Sequence, residues 1–146
     1  MKLTIGRLLK IYFTKLLNIF RFLIYKIIYF AITFPKQMCH PKTLLLIRLD
    51  SIGDYILVRN FLNCIKQSKK YRDYNITLCG NVVWKDLAKT FDKNIINNFI
   101  WLDRKKFNNN PSYKYKLLKK IYKFGFEVVV DTTFSREILY GDSIFI

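Results

Sequence analysis

The sequence predicts an α/β fold, a Rossmann-like doubly wound parallel sheet, because short apolar runs alternate with helical patterns from residue 43 onwards. Four of these runs have the length of strands: residues 43–47, 75–79, 98–102 and 127–130. The first, TLLLI, lacks the polar–apolar alternation of a half-exposed strand, so we expect it to be buried on both faces of the sheet. Strands separated by helices favour parallel pairing with right-handed crossovers.

Three segments between the predicted strands have helical patterns: residues 55–67, 82–91 and 113–124. In the first of them we expect these side chains to face the sheet: Ile56, Leu57, Phe61, Cys64 and Ile65. Ser112 is placed to cap the last helix and Gly125 to end it. Residues 104–111 are basic and rich in Asn, and we expect them to form a loop.

The chain is strongly basic, with 26 Lys and Arg against 10 Asp and Glu in 146 residues and a formal net charge of +16. The length suits one domain of ordinary size. The charge favours nucleic acid, anionic lipid or a phosphorylated substrate as partner and does not choose among them. Cys39, Cys64 and Cys79 form no CxxC pair, and His40 is the only histidine, so we expect reduced thiols and no metal site.

Residues 1–35 are predicted to form a basic amphipathic helix that associates with an anionic membrane surface. Residues 1–42 contain eight Lys and Arg and no acid. One arc of the helical wheel holds the basic side chains expected to contact anionic lipid: Arg7, Lys10, Lys15, Arg21 and Lys26. Charges interrupt the apolar sequence too often for a signal peptide or a membrane-spanning segment. The alternative is a helix that docks on its own domain or on a partner.

Two prolines divide the predicted helix from the folded domain. Pro35 and Pro41 interrupt helical structure, so residues 36–42 are expected to form a linker and residues 43–146 the α/β domain. With reduced thiols and a helix in the membrane interface, the expected location is cytoplasmic, peripheral at the inner face of the cytoplasmic membrane.

Polar residues follow the predicted strands, at the sheet edge where open α/β sheets bind ligands. The candidate ligand-binding residues after the first and last strands are Asp50, Ser51, Gly53, Asp54, Asp131, Thr132, Ser135 and Arg136. Asp54 stands at the start of a helix, where a carboxylate favours the helix dipole whether or not it reacts. The first turn has a single glycine, which matches neither a dinucleotide-binding nor a triphosphate-binding loop.

Residues 47–57, IRLDSIGDYIL, resemble the opening of family 9 glycosyltransferases, the ADP-heptose:lipopolysaccharide heptosyltransferases and their relatives. The shared pattern is an apolar strand, an Arg, a few polar or small residues, an apolar residue, Gly-Asp and an amphipathic helix. The resemblance extends through the second strand, residues 101–104, the basic helix and the last strand, and so covers residues 42–146.

The resemblance implies the acceptor-binding, N-terminal half of a GT-B fold, in which two Rossmann-like domains face each other across a cleft. Asp54 would be the general base and Gly53 would allow close approach of the backbone. The other candidate residues after the two strands would bind a lipid-linked saccharide acceptor, such as lipopolysaccharide core. The donor would be a nucleotide-sugar carrying a heptose-like sugar, with no metal or other cofactor. We expect the donor to bind a second domain that lies outside this chain or on a separate chain.

The loop from Asp131 to Glu137 departs from the Asp-Leu-Gln-Gly loop of heptosyltransferases, which leaves the acceptor open. The alternative function is a non-enzymatic basic α/β module that binds anionic membrane or nucleic acid. Nucleic acid is the less expected partner, because the basic residues fall on helices and loops and not on an exposed strand platform with aromatic residues.

Overall fold

The computed structural model describes residues 2–33 and 38–133. Within helix α1 the side chains of residues 2–5, 21 and 25 are outside this description. Ser135 and Arg136, both predicted to bind the acceptor, lie outside the described residues, and so does the side chain of Arg21.

The described residues form five α-helices and four strands. The strands are β1 (His40–Arg48), β2 (Asn75–Asn81), β3 (Asn98–Leu102) and β4 (Phe126–Asp131). The helices are α1 (Lys2–Thr33), α2 (Ile52–Gln67), α3 (Lys85–Phe91), α4 (Arg104–Asn109) and α5 (Pro111–Phe124), and a short 3-10 turn spans Val82–Trp84. All four predicted strands are present, and β1 begins inside the segment expected to be a linker.

The strands form one parallel sheet in the order β3-β2-β1-β4. In the register of β1 and β2, Leu44 pairs with Ile76 and Ile47 with Cys79, and on the other side of β1 Leu46 pairs with Val130. The predicted parallel pairing is therefore confirmed. So is the burial of the first strand, since its residues 44–48 are all buried.

Each face of the sheet has its own apolar core. On one face, β1 side chains such as Leu44 and Leu46 pack with Tyr55 and Leu62 of α2 and with Trp84. On the other face, Leu45 and Ile47 and their neighbours pack with α4, α5 and the end of α1. A parallel sheet covered on both faces is the expected arrangement of a doubly wound α/β domain, and the model is Rossmann-like at this level.

Two local predictions between β3 and β4 are wrong. Residues Arg104–Asn109 form α4 and not a loop, because the Asp103 side chain accepts a hydrogen bond from the Lys106 N–H at 3.0 Å and caps a helix there. Asn110, not Ser112, caps α5, with its side-chain oxygen 3.0 Å from the Tyr113 nitrogen and Pro111 in the first turn. Gly125 ends α5 in a left-handed conformation, φ 56°, as predicted.

The orientation of α2 also differs from the prediction. Tyr55 and Leu62 are its buried residues, whereas Ile56, Leu57, Phe61 and Cys64 are exposed and Ile65 is half-buried. The Tyr55 ring stacks on Trp84 with centroids 4.1 Å apart. Its hydroxyl donates to Asp92, whose carboxylate also accepts three hydrogen bonds from the Arg59 guanidinium, two from Nε and one from Nη2. These contacts hold the helix in an orientation in which Tyr55 faces the sheet and the most apolar side of the helix does not.

The α1 side chains that the structure describes as packed on the domain lie near the C-terminal end of the helix. Ile28 and Ile32 are buried in the core cluster shared with α5, Ile24 packs against that cluster, and the Tyr122 hydroxyl donates to the Thr33 carbonyl at 3.3 Å. By length and composition alone, Gly6–Thr33 could cross a membrane, which the charges in the sequence did not lead us to expect. Large apolar side chains from Leu8 to Leu23 are exposed.

Candidate functional site

The candidate site lies where the sheet order reverses. From β1 the chain adds β2 and β3 on one side, then returns to place β4 on the other side of β1. The carboxyl ends of β1 and β4 are therefore neighbours. The chain leaves β1 towards β2, on the side of β1 away from β4. Doubly wound sheets bind their ligands in the crevice at this position.

Arg48, the last residue of β1, is the centre of the polar cluster at this position. Its guanidinium lies 3.5 Å from Asp50 Oδ2 and 3.5 Å from Asp54 Oδ1, and it donates to the Thr132 carbonyl after β4. Its side chain is only 9% exposed, and its Nε atom is buried with no hydrogen-bond partner among the described residues. One cation thus joins the end of β1, the first turn of α2 and the end of β4.

Asp54 is the accessible carboxylate of the cluster, with 40% of its side chain exposed. Its Oδ2 accepts the Ser51 hydroxyl at 2.6 Å and the Ser51 N–H at 3.2 Å, which ties the residue before α2 to its first turn. The Ser51 hydroxyl, followed by the Arg48 charge, lowers the pKa of Asp54 below its ordinary value. Asp54 therefore caps the helix, as its position predicted, and it is ionised at neutral pH.

The Asp50 side chain is nearly inaccessible, with 9% of it exposed. The Trp84 indole N–H donates to the Asp50 carbonyl at 3.1 Å, and the Asn81 side-chain amide donates to the Leu49 carbonyl at 3.2 Å. These two bonds connect the turn after β1 to the end of β2. Asp50 is thus suited to orient Arg48, while Asp54 is the carboxylate that a ligand can reach.

Gly53 borders open space. A Cβ atom built on it would meet no heavy atom within 4 Å, so folding does not require a glycine there. Gly80 is the opposite case, because its Cβ would lie 2.1 Å from the Trp84 ring. The glycine that the fold requires is therefore the one at the end of β2, and the free space beside Gly53 is available to a ligand.

Asp131 and Thr132 occupy different positions from those of the acidic residues after β1. Asp131 pairs in register with Ile47 and so points to the sheet face covered by α4 and α5. There burial, assisted by the Asp131 charge, raises the pKa of Cys79 to about 12. Asp131 Oδ1 accepts the Thr133 N–H at 2.9 Å, and Thr132 Oγ1 donates to the Ile47 carbonyl at 2.9 Å. Only the Thr132 carbonyl joins the Arg48 cluster.

The basic residues predicted to contact membrane lie along α1 with exposed side chains at Arg7, Lys10, Lys15 and Lys26. Arg7, Lys10 and Lys15 line one shallow depression with Ile11 and Thr14, which places three of them on one surface of the helix. In residues 2–33 and 38–133 no group of three His, Cys, Asp or Glu side chains could hold a metal ion.

Sequence reasoning brought Asp50, Ser51, Gly53 and Asp54 to this site and missed the role of Arg48. The signal was present in the spacing Arg48-x-Asp50-x-x-x-Asp54, because a cation that ends a buried strand needs anionic partners nearby. Comparison of the chain with protein-family models, curated proteins and solved structures gives no match.

Proposed function

We propose that this α/β domain is the acceptor-binding half of a glycosyltransferase of the type that family 9 represents, preceded by a helix that lies on the membrane. The reaction would transfer a heptose-like sugar from a nucleotide-sugar to a lipid-linked saccharide such as lipopolysaccharide core. The observation that carries the proposal is the Arg48 cluster at the switch point of the sheet, with Asp54 as its exposed carboxylate.

In this proposal Asp54 accepts the proton of the acceptor hydroxyl while that oxygen forms a bond to the anomeric carbon of the donor sugar. The bond between the sugar and the nucleotide diphosphate breaks, and the diphosphate leaves with its electron pair. Ser51 and Arg48 keep Asp54 ionised, so it is ready to accept a proton, although the lowered pKa makes it a weaker base. The contribution of Asp54 to the rate would therefore come mainly from its position next to the acceptor hydroxyl.

The neighbours of Asp54 support such positioning. Arg48 contacts Asp50 and Asp54, and Ser51 fixes the second oxygen of Asp54. The open space beside Gly53 allows an acceptor sugar to approach the first turn of α2. A saccharide offers hydroxyl groups to carboxylate acceptors and to a guanidinium donor, and both kinds of group are present here. No metal or other cofactor enters the proposal, and the donor would bind a second domain, in the same polypeptide or in a separate one.

The proposed membrane contact is interfacial. The buried side chains Ile28 and Ile32 hold the last part of α1 against α5, while Ile27 and Phe30 on another side of the same turns are exposed. Inserting the whole helix across a bilayer would undock those two isoleucines and carry Arg7, Lys10 and Lys15 through the hydrocarbon core. A helix lying in the headgroup region avoids both costs and leaves its bases near anionic lipid. The protein would then be peripheral, at the cytoplasmic face of the membrane.

The test is to fuse the chain to the donor-binding domain of a family 9 heptosyltransferase and to measure sugar transfer to lipopolysaccharide core. We expect transfer from ADP-heptose that requires both halves, with the donor domain alone as the control. A folded fusion that binds ADP-heptose but transfers no sugar to any core acceptor would overturn the enzymatic proposal. The domain would then be a basic module, and vesicle and nucleic-acid binding assays would identify its partner.

A further inference from the structure

An apolar groove leads away from the Arg48 cluster along α2. It lies between α2 and β4, has a volume of about 490 Å³ and is lined mainly by Leu46, Val58, Phe61, Cys64, Ile65 and Val130. Arg48 and Thr132 line one end, at the candidate site, and Ser68 and Tyr71 line the other. The groove therefore runs from the polar cluster at the carboxyl edge of the sheet towards the opposite edge.

The groove exists because α2 is rotated away from the orientation that its hydrophobic pattern predicts. Tyr55 and Leu62 face the sheet, so Phe61 is 66% exposed and Cys64 is exposed on the side towards β4. Among the described residues β4 pairs with β1 alone, which leaves Val130 on the groove floor without a further strand beside it. Leaving this surface in water is unfavourable by roughly 25 cal/mol for each Å² of apolar area.

We propose that this groove binds the alkyl chain of a glycolipid acceptor whose sugar lies at the Arg48 cluster. This inference rests on the proposed function and specifies how the lipid part of the acceptor is recognised. Its basis is continuity: the same Arg48 side chain lines the groove and contacts Asp50 and Asp54. The apolar lining of the groove suits the lipid part of an acceptor whose sugar lies at this polar end.

The size of the groove suits a small apolar ligand or a single alkyl chain. Its volume of about 490 Å³ lies within the usual range of small-ligand pockets, about 300–1,000 Å³. A second copy that pairs along β4 is the alternative occupant, and the concentration dependence of the thiol protection described below distinguishes it from an alkyl chain.

The free thiols provide a local readout of groove occupancy. Cys64 lines the groove, Cys39 is exposed outside it and Cys79 is buried. Dodecyl maltoside below its critical micelle concentration is the probe, since it joins a neutral disaccharide to one alkyl chain. At about ten times its Kd we expect alkylation of Cys64 by iodoacetamide to slow about tenfold, because only the free protein reacts. Maltose alone should have no effect, and the rate at Cys39 should not change.

Two matched variants of α2 decide whether the protection is specific. Phe61→Asp places a charge in the groove and should abolish the protection of Cys64. Leu57→Asp places the same charge at a residue of α2 that is 70% exposed and outside the groove lining, and should leave the protection intact. Circular dichroism of both variants shows whether the fold is kept, and the wild-type rate with and without the probe decides the question if Phe61→Asp does not fold.

Three results would overturn the inference. The first is that the probe does not protect Cys64 in the wild type. The second is that both variants lose the protection equally. The third is that Cys64 is protected without the probe and the protection rises with protein concentration, which would indicate a second copy in the groove. Failure of the proposed function is distinguishable, because it would appear as a fusion protein that transfers no sugar even to a delipidated core oligosaccharide. If sugar is transferred to the delipidated acceptor but Cys64 is not protected, the proposed function stands and the proposed lipid binding in the groove is rejected.

Discussion

Helices α1 and α2 both expose large apolar side chains, but they are fixed to the sheet in different ways. In α2 the contacts come from residues distant in sequence: Trp84 stacks on Tyr55, and Asp92 binds both Tyr55 and Arg59. Among the described side chains of α1, those that pack on the core are Ile24, Ile28 and Ile32, near the C-terminal end. The apolar surface of α2 is thus exposed because distant contacts fix the helix in one orientation. The apolar surface of α1 is exposed because most of the described helix makes no such contacts.

This difference predicts that the two parts of α1 contribute unequally to stability. Deleting residues 1–33 removes the burial of Ile28 and Ile32, each worth about 1.5–3 kcal/mol, and uncovers α5. Deleting residues 1–22 removes no side chain that is buried among the described residues and should leave the free energy of unfolding nearly unchanged. Urea unfolding followed by tryptophan fluorescence measures both. Equal destabilisation by the two deletions would mean that the first part of α1 also packs on the domain.

The shorter deletion also tests the membrane contact. Without residues 1–22, binding to phosphatidylglycerol vesicles should fall strongly, because three exposed bases, Arg7, Lys10 and Lys15, and the apolar side chains around them are lost. Binding of the full chain should weaken as salt is raised, and binding to phosphatidylcholine vesicles should be weaker throughout. Unchanged vesicle binding after the deletion would identify α1 as a packing element.

The contacts that orient α2 predict a smaller but clear effect at Gly80. Gly80→Ala would place a Cβ atom 2.1 Å from Trp84, a fully buried residue that also packs edge-to-face on Trp101. Overpacking of this kind costs about 1–3 kcal/mol of unfolding free energy. The urea midpoint should drop accordingly. An unchanged midpoint would show that Trp84 moves aside at little cost, and the orientation of α2 would then have another cause.

Gly53→Ala is the matched glycine variant, and its expected effect on stability is the smallest. Its Cβ meets no atom, and Ala favours a helical position over Gly by about 0.5–1 kcal/mol. The urea midpoint should therefore stay the same or rise slightly. If an acceptor sugar uses the space beside Gly53, the same variant should raise the acceptor KM of the fusion enzyme without affecting that of the donor.

The parts of the fold that depend on neighbouring residues in the sequence could be predicted from the sequence alone. The four strands lie where continuous apolar runs predicted them, and Gly125 ends α5 as expected. The orientation of α2 was beyond such reasoning, because it depends on Tyr55 meeting Trp84 and Asp92, 29 and 37 residues away. The helix α4 was missed because residues 104–111 were assigned to a loop from their composition, and the capping side chain of Asp103 just before them was not considered.

The candidate site was partly predictable for the same reason. Asp50, Ser51 and Asp54 lie within one turn, so their proximity follows from the sequence. Their connection to Arg48 and the Thr132 carbonyl requires β4 to lie beside β1, which is a property of the sheet order. The register of β4 against β1 also separates Asp131 from the cluster, because it pairs Asp131 with Ile47 and places its side chain on the other face of the sheet.

The most direct test of the central claim is the turnover of Asp54→Asn in the fusion enzyme, compared with Asp86→Asn. Asp86 is likewise an acid in the first turn of a helix, α3, but lies outside the Arg48 cluster. Asn keeps the ability to cap, so Asp54→Asn should lower kcat by about 10²–10⁴, with the nucleotide-sugar KM unchanged. Asp86→Asn should be near wild type, and Asp50→Asn should fall between the two. Near-normal turnover in Asp54→Asn would contradict the claim, since Asp54 would then be only a helix cap.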